Sequence, residues 1–451
     1  GAFMIFDGHM NLSVMDYFFT EGDMAVEFRT RPVDTRNLDG DGVIEDMEVM
    51  TIGASDLFAF AGVNGPQDSE GAIGFALSNV NIGMAFMQSP TRDTKYLSLK
   101  AMVGDASFIG VDDLTLSASN LFVAINKSFG SDDVVHFAEA PFMINAGLGG
   151  MIPLDYHFSM GQVLRTEGDI TIQIGDSVYM DGHIAFETRA QEMFISDGSQ
   201  VQTNMMLFTA GDLSMFFGAN GPADQDEAFG FSLANTNMAL MIMKPTDTED
   251  NRSWTALNAV SDGIGFVGPD NLNISADNLM IRMNMAENTE DVLDFSKHIF
   301  EIPVSQDASM RFDFHGANGE FIEARGDLNV SIGNNIEISG AFAFEQYIRA
   351  IKLSDQSIIE TNFFGFSAMG VNAFAGIRGN DPSEDIGFTL SDVSLALALM
   401  KPTDSEDTRN WTSLKAHAGE AGFVGSDIFN LTASEMDIFL NQVNEGDVVA
   451  H

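Results

Sequence analysis

One stretch is written three times along this chain. FGFSLANTNMALMIMKPTDTEDNRSWTALNAV, which spans Lys244, returns as IGFTLSDVSLALALMKPTDSEDTRNWTSLKAHA, which spans Lys401, and a more diverged IGFALSNVNIGMAFMQSPTRDTKYLSLKAMV precedes both. Lys244 recurs as Lys401 and Trp254 as Trp411, 157 residues on, and Gly168-Asp169 recurs as Gly326-Asp327, 158 residues on. Each copy of so long a tandem repeat is one structural unit, and neighbouring units stack into a shared architecture before they build any single site. The spacing divides the chain into units at 1–167, 168–325 and 326–451, the last about 30 residues short of a full period. The chain therefore reads as a segment of a longer array.

Charge narrows the choice of partners. The 451 residues carry 66 Asp and Glu against 21 Lys and Arg, a net charge of −45. A nucleic-acid binder needs a basic face, so that class is excluded. Anionic membrane surfaces repel such a chain, and no apolar run is long enough to cross a bilayer, so direct membrane insertion is not expected. Hydrophobic residues still make up 45%, with 38 Phe and 27 Met, enough to fill a large core rather than leave the chain disordered. There is no cysteine, which rules out disulfides, thiolate nucleophiles and Cys-type zinc sites. An acidic, cysteine-free repeat chain points to an extracellular or cell-surface setting in a bacterium.

The local pattern is strand. Ile170, Ile172 and Ile174 alternate with Asp, Thr and Gln, the two-residue period of a half-buried strand. No sustained helical stripe occurs. Within one unit, apolar segments alternate with acidic loops such as NGPADQDE and KPTDTEDNRS, and with short Ala/Ser-x-Asp/Asn steps that read as tight corners. This trace is expected from an all-β, two-sheeted β-solenoid with about six rungs per unit. An antiparallel meander in a β-sandwich is the alternative, since periodicity does not report strand direction. Either way, the acidic loops are expected on one edge. That edge would carry Asp68 and Glu70, then Asp224, Asp226, Glu227, Asp247, Glu249 and Asp250, then Asp381, Glu384, Asp385, Asp404, Glu406 and Asp407.

Two patterns carry candidate chemistry. The segment from Asn37 to Glu48 has the spacing of a calcium loop. Asn37, Asp39 and Asp41 offer side-chain oxygens, Gly42 permits the turn, Val43 offers its carbonyl, Glu45 acts through water, and Glu48 closes the site with two oxygens. It resembles EF-hand loops and the related loops of dockerin-like and thrombospondin-type extracellular repeats. Its first ligand is Asn rather than Asp, and its flanks read as strands instead of helices. A solvated acidic hairpin tip is the competing interpretation. The repeated clusters Asp247, Glu249, Asp250 and Asp404, Glu406, Asp407 are weaker calcium candidates, with Lys244 and Lys401 as local counter-charges. His157 and His315 recur in register and so belong to the scaffold, as do Trp254 and Trp411, which Tyr96 replaces in the first unit. No nucleophile elbow, phosphate loop or dinucleotide fingerprint is present, so an enzyme is not expected.

The stretches LTLSASNLFVAIN, LNISADNLMIRMN and FNLTASEMDIFLN, with GDLNVSIGNNIEISGAFAFE, resemble repeat modules of very large bacterial surface or secreted proteins, adhesin-like in type. That resemblance implies a calcium-stabilised structural role as a stalk, surface-layer or filament segment. Its partners would be neighbouring repeats of the same or identical chains. The alternative is a calcium-dependent module for a glycan or cell-surface partner, and a polysaccharide-acting β-helix enzyme ranks third.

Overall fold

The computed structural model describes residues 3–14, 18–147, 150–225, 227–268, 272–333, 335–379, 381, 384–404, 406–425, 429, 431–445 and 450. The first unit supplies β1 (Phe3–Val14), β2 (Phe18–Arg36), β3 (Gly42–Val63), β4 (Ile73–Gln88), β5 (Lys95–Ile109) and β6 (Leu114–Phe129). A returning segment follows, with β7 (Val134–Val135), β8 (Phe142–Asn145), β9 (Met151–Leu154) and a 3-10 turn at Phe158–Met160. The second unit gives β10 (Val163–Ile174), β11 (Val178–Phe194), β12 (Gln200–Ala219), β13 (Phe229–Pro245), β14 (Ser253–Val267) and β15 (Leu272–Glu287). Its returning segment holds β16 (Phe300–Pro303), β17 (Ser309–Phe312) and a 3-10 turn at Gly316–Asn318. The third unit gives β18 (Phe321–Ile332), β19 (Ile336–Lys352), β20 (Ile358–Ile377), β21 (Ile386–Pro402), β22 (Trp411–Val424) and β23 (Leu431–Val443).

The protein is all-β. Eighteen long strands pair antiparallel with their neighbours from β1 to β23 in one open sheet, which the two-residue β7 joins at the end of β2. At about 4.8 Å per strand the sheet runs on the order of 80 Å across its strands. β10 to β13 and β18 to β21 match in length, at 12, 17, 20 and 17 residues.

Several expectations are corrected by these ladders. The eighteen long strands form one antiparallel sheet, with β8–β9 and β16–β17 as separate two-stranded pieces, rather than the two stacked sheets expected of a solenoid. The Ala/Ser-x-Asp/Asn steps are not corners. They lie inside continuous strands, where Asp56, Asn79, Asn120, Asp212, Asn235, Asn278, Asp392 and Glu435 adopt left-handed backbone with φ between 44° and 54°. Asn and Asp tolerate this conformation best among residues with a side chain, so a sequence signal for a turn and one for a mid-strand bulge look alike. The left-handed residue reverses the facing of the strand, and together these positions draw a crease across the sheet. Gly168 and Gly326 recur because of it: a Cβ on either would lie 2.5 Å from Leu121 Cδ2 or 2.7 Å from Leu279 Cδ2, each leucine following a left-handed Asn.

The acidic loops do not share one edge either. Because successive strands are antiparallel, Asp68, Glu70, Asp224, Glu227, Asp381, Glu384 and Asp385 lie at one end of the strands. Asp247, Glu249, Asp250, Asp404, Glu406 and Asp407 lie at the other. Asp226 lies outside the described residues. The unit limits at 167/168 and 325/326 fall inside β10 and β18, so no linker separates the units.

Each returning segment folds under the same face of the sheet and closes a core. In the first unit Val33, Met47, Val49, Met87 and Tyr96 pack against Val135, Phe142, Ile144 and Leu154. In the second, Met193, Met205, Met241, Met243 and Trp254 pack against Leu293, Phe295, Ile302 and Phe312. Burying each such side chain stabilises by roughly 1.5–3 kcal/mol. The Asn that ends each recurring stretch latches the segment: Asn126 Nδ2 donates to the Val135 carbonyl (2.9 Å), Asn284 to Leu293 (2.8 Å) and Asn441 to Ala450 (2.6 Å). His157 and His315 start the 3-10 turns, each Nδ1 accepting the backbone N–H two residues on at 3.1 Å.

Candidate functional site

The predicted calcium segment folds as a β-hairpin. Arg36 pairs with Gly42 and Thr30 with Glu48, leaving Asn37–Asp41 as the turn. Asn37 Oδ1 accepts the backbone N–H groups of Asp39 (3.1 Å) and Asp41 (3.0 Å), so it serves the turn itself. The Val43 carbonyl accepts from Thr35 Oγ1. Glu45 is paired with Arg92 Nη2 at 2.7 Å and accepts from Thr91 Oγ1 at 2.7 Å. Burial pushes the Glu45 pKa up, but the bonds from Arg92, Ser89 and Thr91 outweigh it and hold the group below its ordinary value. Glu48 stands seven positions along extended β3 from Asp41, on the order of 20 Å away at ordinary strand rise. The hairpin thus does not bring Asp39, Asp41 and Glu48 together, and no three acidic or His side chains converge as a ligand set among the described residues.

The repeated acidic loops are bonded internally. Asp247 Oδ1 and Asp404 Oδ1 each accept the backbone N–H two residues on (2.9 Å), which folds the loop. Asp250 receives Nε and Nη2 of Arg252, and Asp407 those of Arg409, the shorter contact being 2.6 Å in both. These arginines hold both carboxyls below their usual range. The guanidinium groups lie 5.3 Å from the ring of Trp254 and 5.1 Å from that of Trp411. Arginine rather than Lys244 or Lys401 is therefore the counter-charge; both lysines point to the opposite face at the strand ends. The D-x-R-x-W spacing carried this signal in the sequence.

The largest chemical feature was missed by sequence reading. Opposite the returning segments, one face of the sheet is apolar across its whole width. One cross-strand row runs Ile184, Ala210, Met238, Ala259, Ile281, Ala324, Phe344, Phe366, Leu397, Leu414, Leu440, through eleven consecutive long strands without a polar side chain. Beyond the crease a second row on that face reads Ile172, Met180, Met215, Leu233, Ile264, Ala276, Leu328. Among the described residues no segment covers it. Phe208 is 40% exposed, Phe231 51% and Phe388 58%. At the crease, Ala54, Leu57 and Val80 pack together at 0–9% exposure with Met24, Leu77, Ile82 and Val103 around them. Near β1, a hollow of about 810 Å³ is lined by Met4, Phe28, Met50, Phe86 and Phe129. Total accessible surface is 24185 Å², about half as much again as a compact chain of this mass exposes.

The margin of this face at one set of strand ends is polar. Lys95, Lys127, Lys244, Lys352 and Lys401 project there, five of the eight lysines in the chain, interspersed with Glu48, Glu192, Glu287 and Glu360. Apolar patches beyond a few hundred Å² mark interaction surfaces. Comparison with protein-family models, with curated proteins and with solved structures finds no match to this chain.

Proposed function

We propose that the chain is a repeat-built scaffold whose apolar face holds long-chain amphiphiles, acyl chains along the rows of Phe, Met, Ile and Leu and headgroups at the charged strand ends. The observation that carries this reading is the unbroken apolar row from Ile184 to Leu440 with no covering segment among the described residues. Each methylene taken from water against such a surface stabilises by about 0.8 kcal/mol, so a single acyl chain binds reversibly and the charged strand ends add the headgroup contacts. Methionine's flexible thioether suits guests of varied shape. Among the described residues the outer edges of β1 and β23 are unpaired, which favours a guest brought to the sheet over a sheet placed in hydrocarbon, where every backbone group needs a partner. The sequence expectations of three stacked repeat units, a cell-surface or extracellular setting and a structural rather than catalytic role remain part of this proposal. Calcium at Asn37–Glu48 belongs to it only if the Gly42–Glu48 pairing opens, since the closed hairpin separates the ligands.

Titration of the delipidated chain with the fluorescent fatty acid cis-parinaric acid tests the reading. Saturable binding of several molecules per chain is expected. Phe208→Glu with Phe366→Glu should weaken it at least tenfold, a loss of about 1.4 kcal/mol or more per site. Asp181→Ala, on the opposite face, should leave it unchanged. Absence of saturable binding, or equal loss from both variants, overturns the proposal, as does a face-to-face dimer that excludes the probe.

A further inference from the structure

We propose that β23 of one chain pairs with β1 of a second copy, head to tail, in the register that joins β15 to β18 inside the chain. The sheet already contains this junction twice. β6 pairs with β10 and β15 with β18, both antiparallel, and β1, β10 and β18 are each 12 residues long. The first strands align without a gap: Gly8, Glu27 and Arg29 recur 160 residues on as Gly168, Glu187 and Arg189, and His9 takes the position of Asp169. β23 corresponds to β15 with Asn441 in the place of Asn284, 157 residues on. Among the described residues, the edge that β1 leaves free is thus the edge that β10 and β18 use, and the edge that β23 leaves free is the one that β6 and β15 use.

The side chains on the two free edges fit one another. Phe3, Met4, Ile5 and Phe6 are 69%, 54%, 45% and 57% exposed, four apolar residues in succession on an edge strand. Natural sheets avoid such an edge unless it is paired. On β23, Ile438, Phe439 and Leu440 are 58%, 68% and 39% exposed. Inside the chain Ile322 meets Met283, Glu323 meets Arg282 and Ala324 meets Ile281. Carried to the ends, that register sets Met4 on Leu440, Ile5 on Phe439 and Phe6 on Ile438. The internal charge pair is replaced on both edges at once by apolar side chains.

The polar position follows the same rule. Asn120 donates to Asp169 and Asn278 to Asp327 across the internal junctions, both at 2.8 Å. At the ends the same two positions are Glu435 and His9, a complementary pair again. Asp7 would meet Asp437, the one like-charged contact, and His417 Nδ1 already lies 3.0 Å from Asp437 Oδ1. Because the two edges differ, the contact is heterologous and propagates head to tail, into an open filament wherever the rotation between copies does not close a ring.

Sedimentation velocity of the full chain over a concentration series, with negative-stain imaging, reads the outcome. Ile5→Glu alone and Phe439→Arg alone should each leave monomers, with association weakened on the order of a hundredfold by an unpaired charge at the junction. Mixing the two variants should restore filaments, because the introduced Arg and Glu then meet as Arg282 and Glu323 do. A wild-type chain that stays monomeric at every concentration overturns the inference. So does assembly that survives both single substitutions, or single variants that are not rescued by mixing. Fatty-acid binding by the monomeric variants is measured in parallel and keeps this test separate from the function proposed above.

Discussion

The second and third units have nearly the same strands and very different cores. Beneath the second, the segment 288–320 brings Leu293, Phe295, Phe300, Ile302, Phe312 and Phe314 against the sheet, and seventeen buried residues form one cluster. Beneath the third, the corresponding cluster among the described residues holds Leu353, Met400, Trp411 and Ala450. The sheet side chains differ in step. Leu207, Met241 and Ala256 of the second unit stand where the third has Gly365, Ala398 and Ser413. Asn258 donates to the Arg311 carbonyl at 2.7 Å, and Lys100 in the first unit pairs with Asp155 of its returning segment at 2.8 Å. Lys415 occupies the same position in the third unit. Strand formation therefore depends on alternation and cross-strand pairing, whereas the depth of a core depends on what returns beneath it.

Truncating the tryptophans should give the largest separation between the units. Trp254 is fully buried, and its Nε1 donates to the Asp291 carbonyl at 2.8 Å. Trp254→Ala should cost roughly 3–5 kcal/mol. Trp411→Ala should cost about half as much, because fewer buried neighbours are left around the cavity. Urea unfolding followed by the remaining tryptophan measures both, and equal losses would break the comparison.

The Asn latches give a middle-sized contrast. Asn284→Ala leaves the buried Leu293 carbonyl without its side-chain donor and should cost about 1–3 kcal/mol. Asn441 is exposed, and Asn441→Ala should cost well under about 1 kcal/mol. Hydrogen exchange at 292–294 and at Ala450 resolves the two sites. Faster exchange at Ala450 than at Leu293 after the respective changes would sharpen the reversal into a different account of the latch.

The smallest effect is one the two units should share. Arg252 and Arg409 depress the carboxyl pKa of Asp250 and Asp407 in the folded state. The stability from these pairs is present above the unfolded carboxyl pKa near 4 and is lost as pH falls through the lower folded value. Asp250→Asn and Asp407→Asn should each flatten the acid limb of stability below about pH 4 and leave stability at neutral pH little changed, as expected of solvent-screened pairs. A change confined to pH above 6 would reject the pairing.

Much of the fold was legible along the chain. Ile170, Ile172 and Ile174 announced a strand by their alternation, and all three lie in β10. The recurrence of His157 with His315 marked scaffold, and both cap turns. The candidate site was less legible. Asn37 to Glu48 has calcium spacing, but β-pairing stretches the segment out, and its Glu45, Val43 and Asn37 oxygens accept from Arg92, the Thr35 hydroxyl and its own backbone N–H groups. Asp56, Asn79 and their equivalents satisfy a corner and a bulge alike, because both need only one left-handed residue.

What the sequence determined by itself was local: strand, the left-handed positions, the close-packed glycines, the loop pairs Asp250–Arg252 and Asp407–Arg409, and the absence of thiol chemistry. What the tertiary structure alone decided was which face each strand turns to the returning segments. Facing has a period of two and is reversed by every mid-strand bulge. Ile184 and Met193 are therefore equally apolar in the sequence, yet one lines an uncovered surface and the other a core. Only the register that carries facing across eighteen strands separates them.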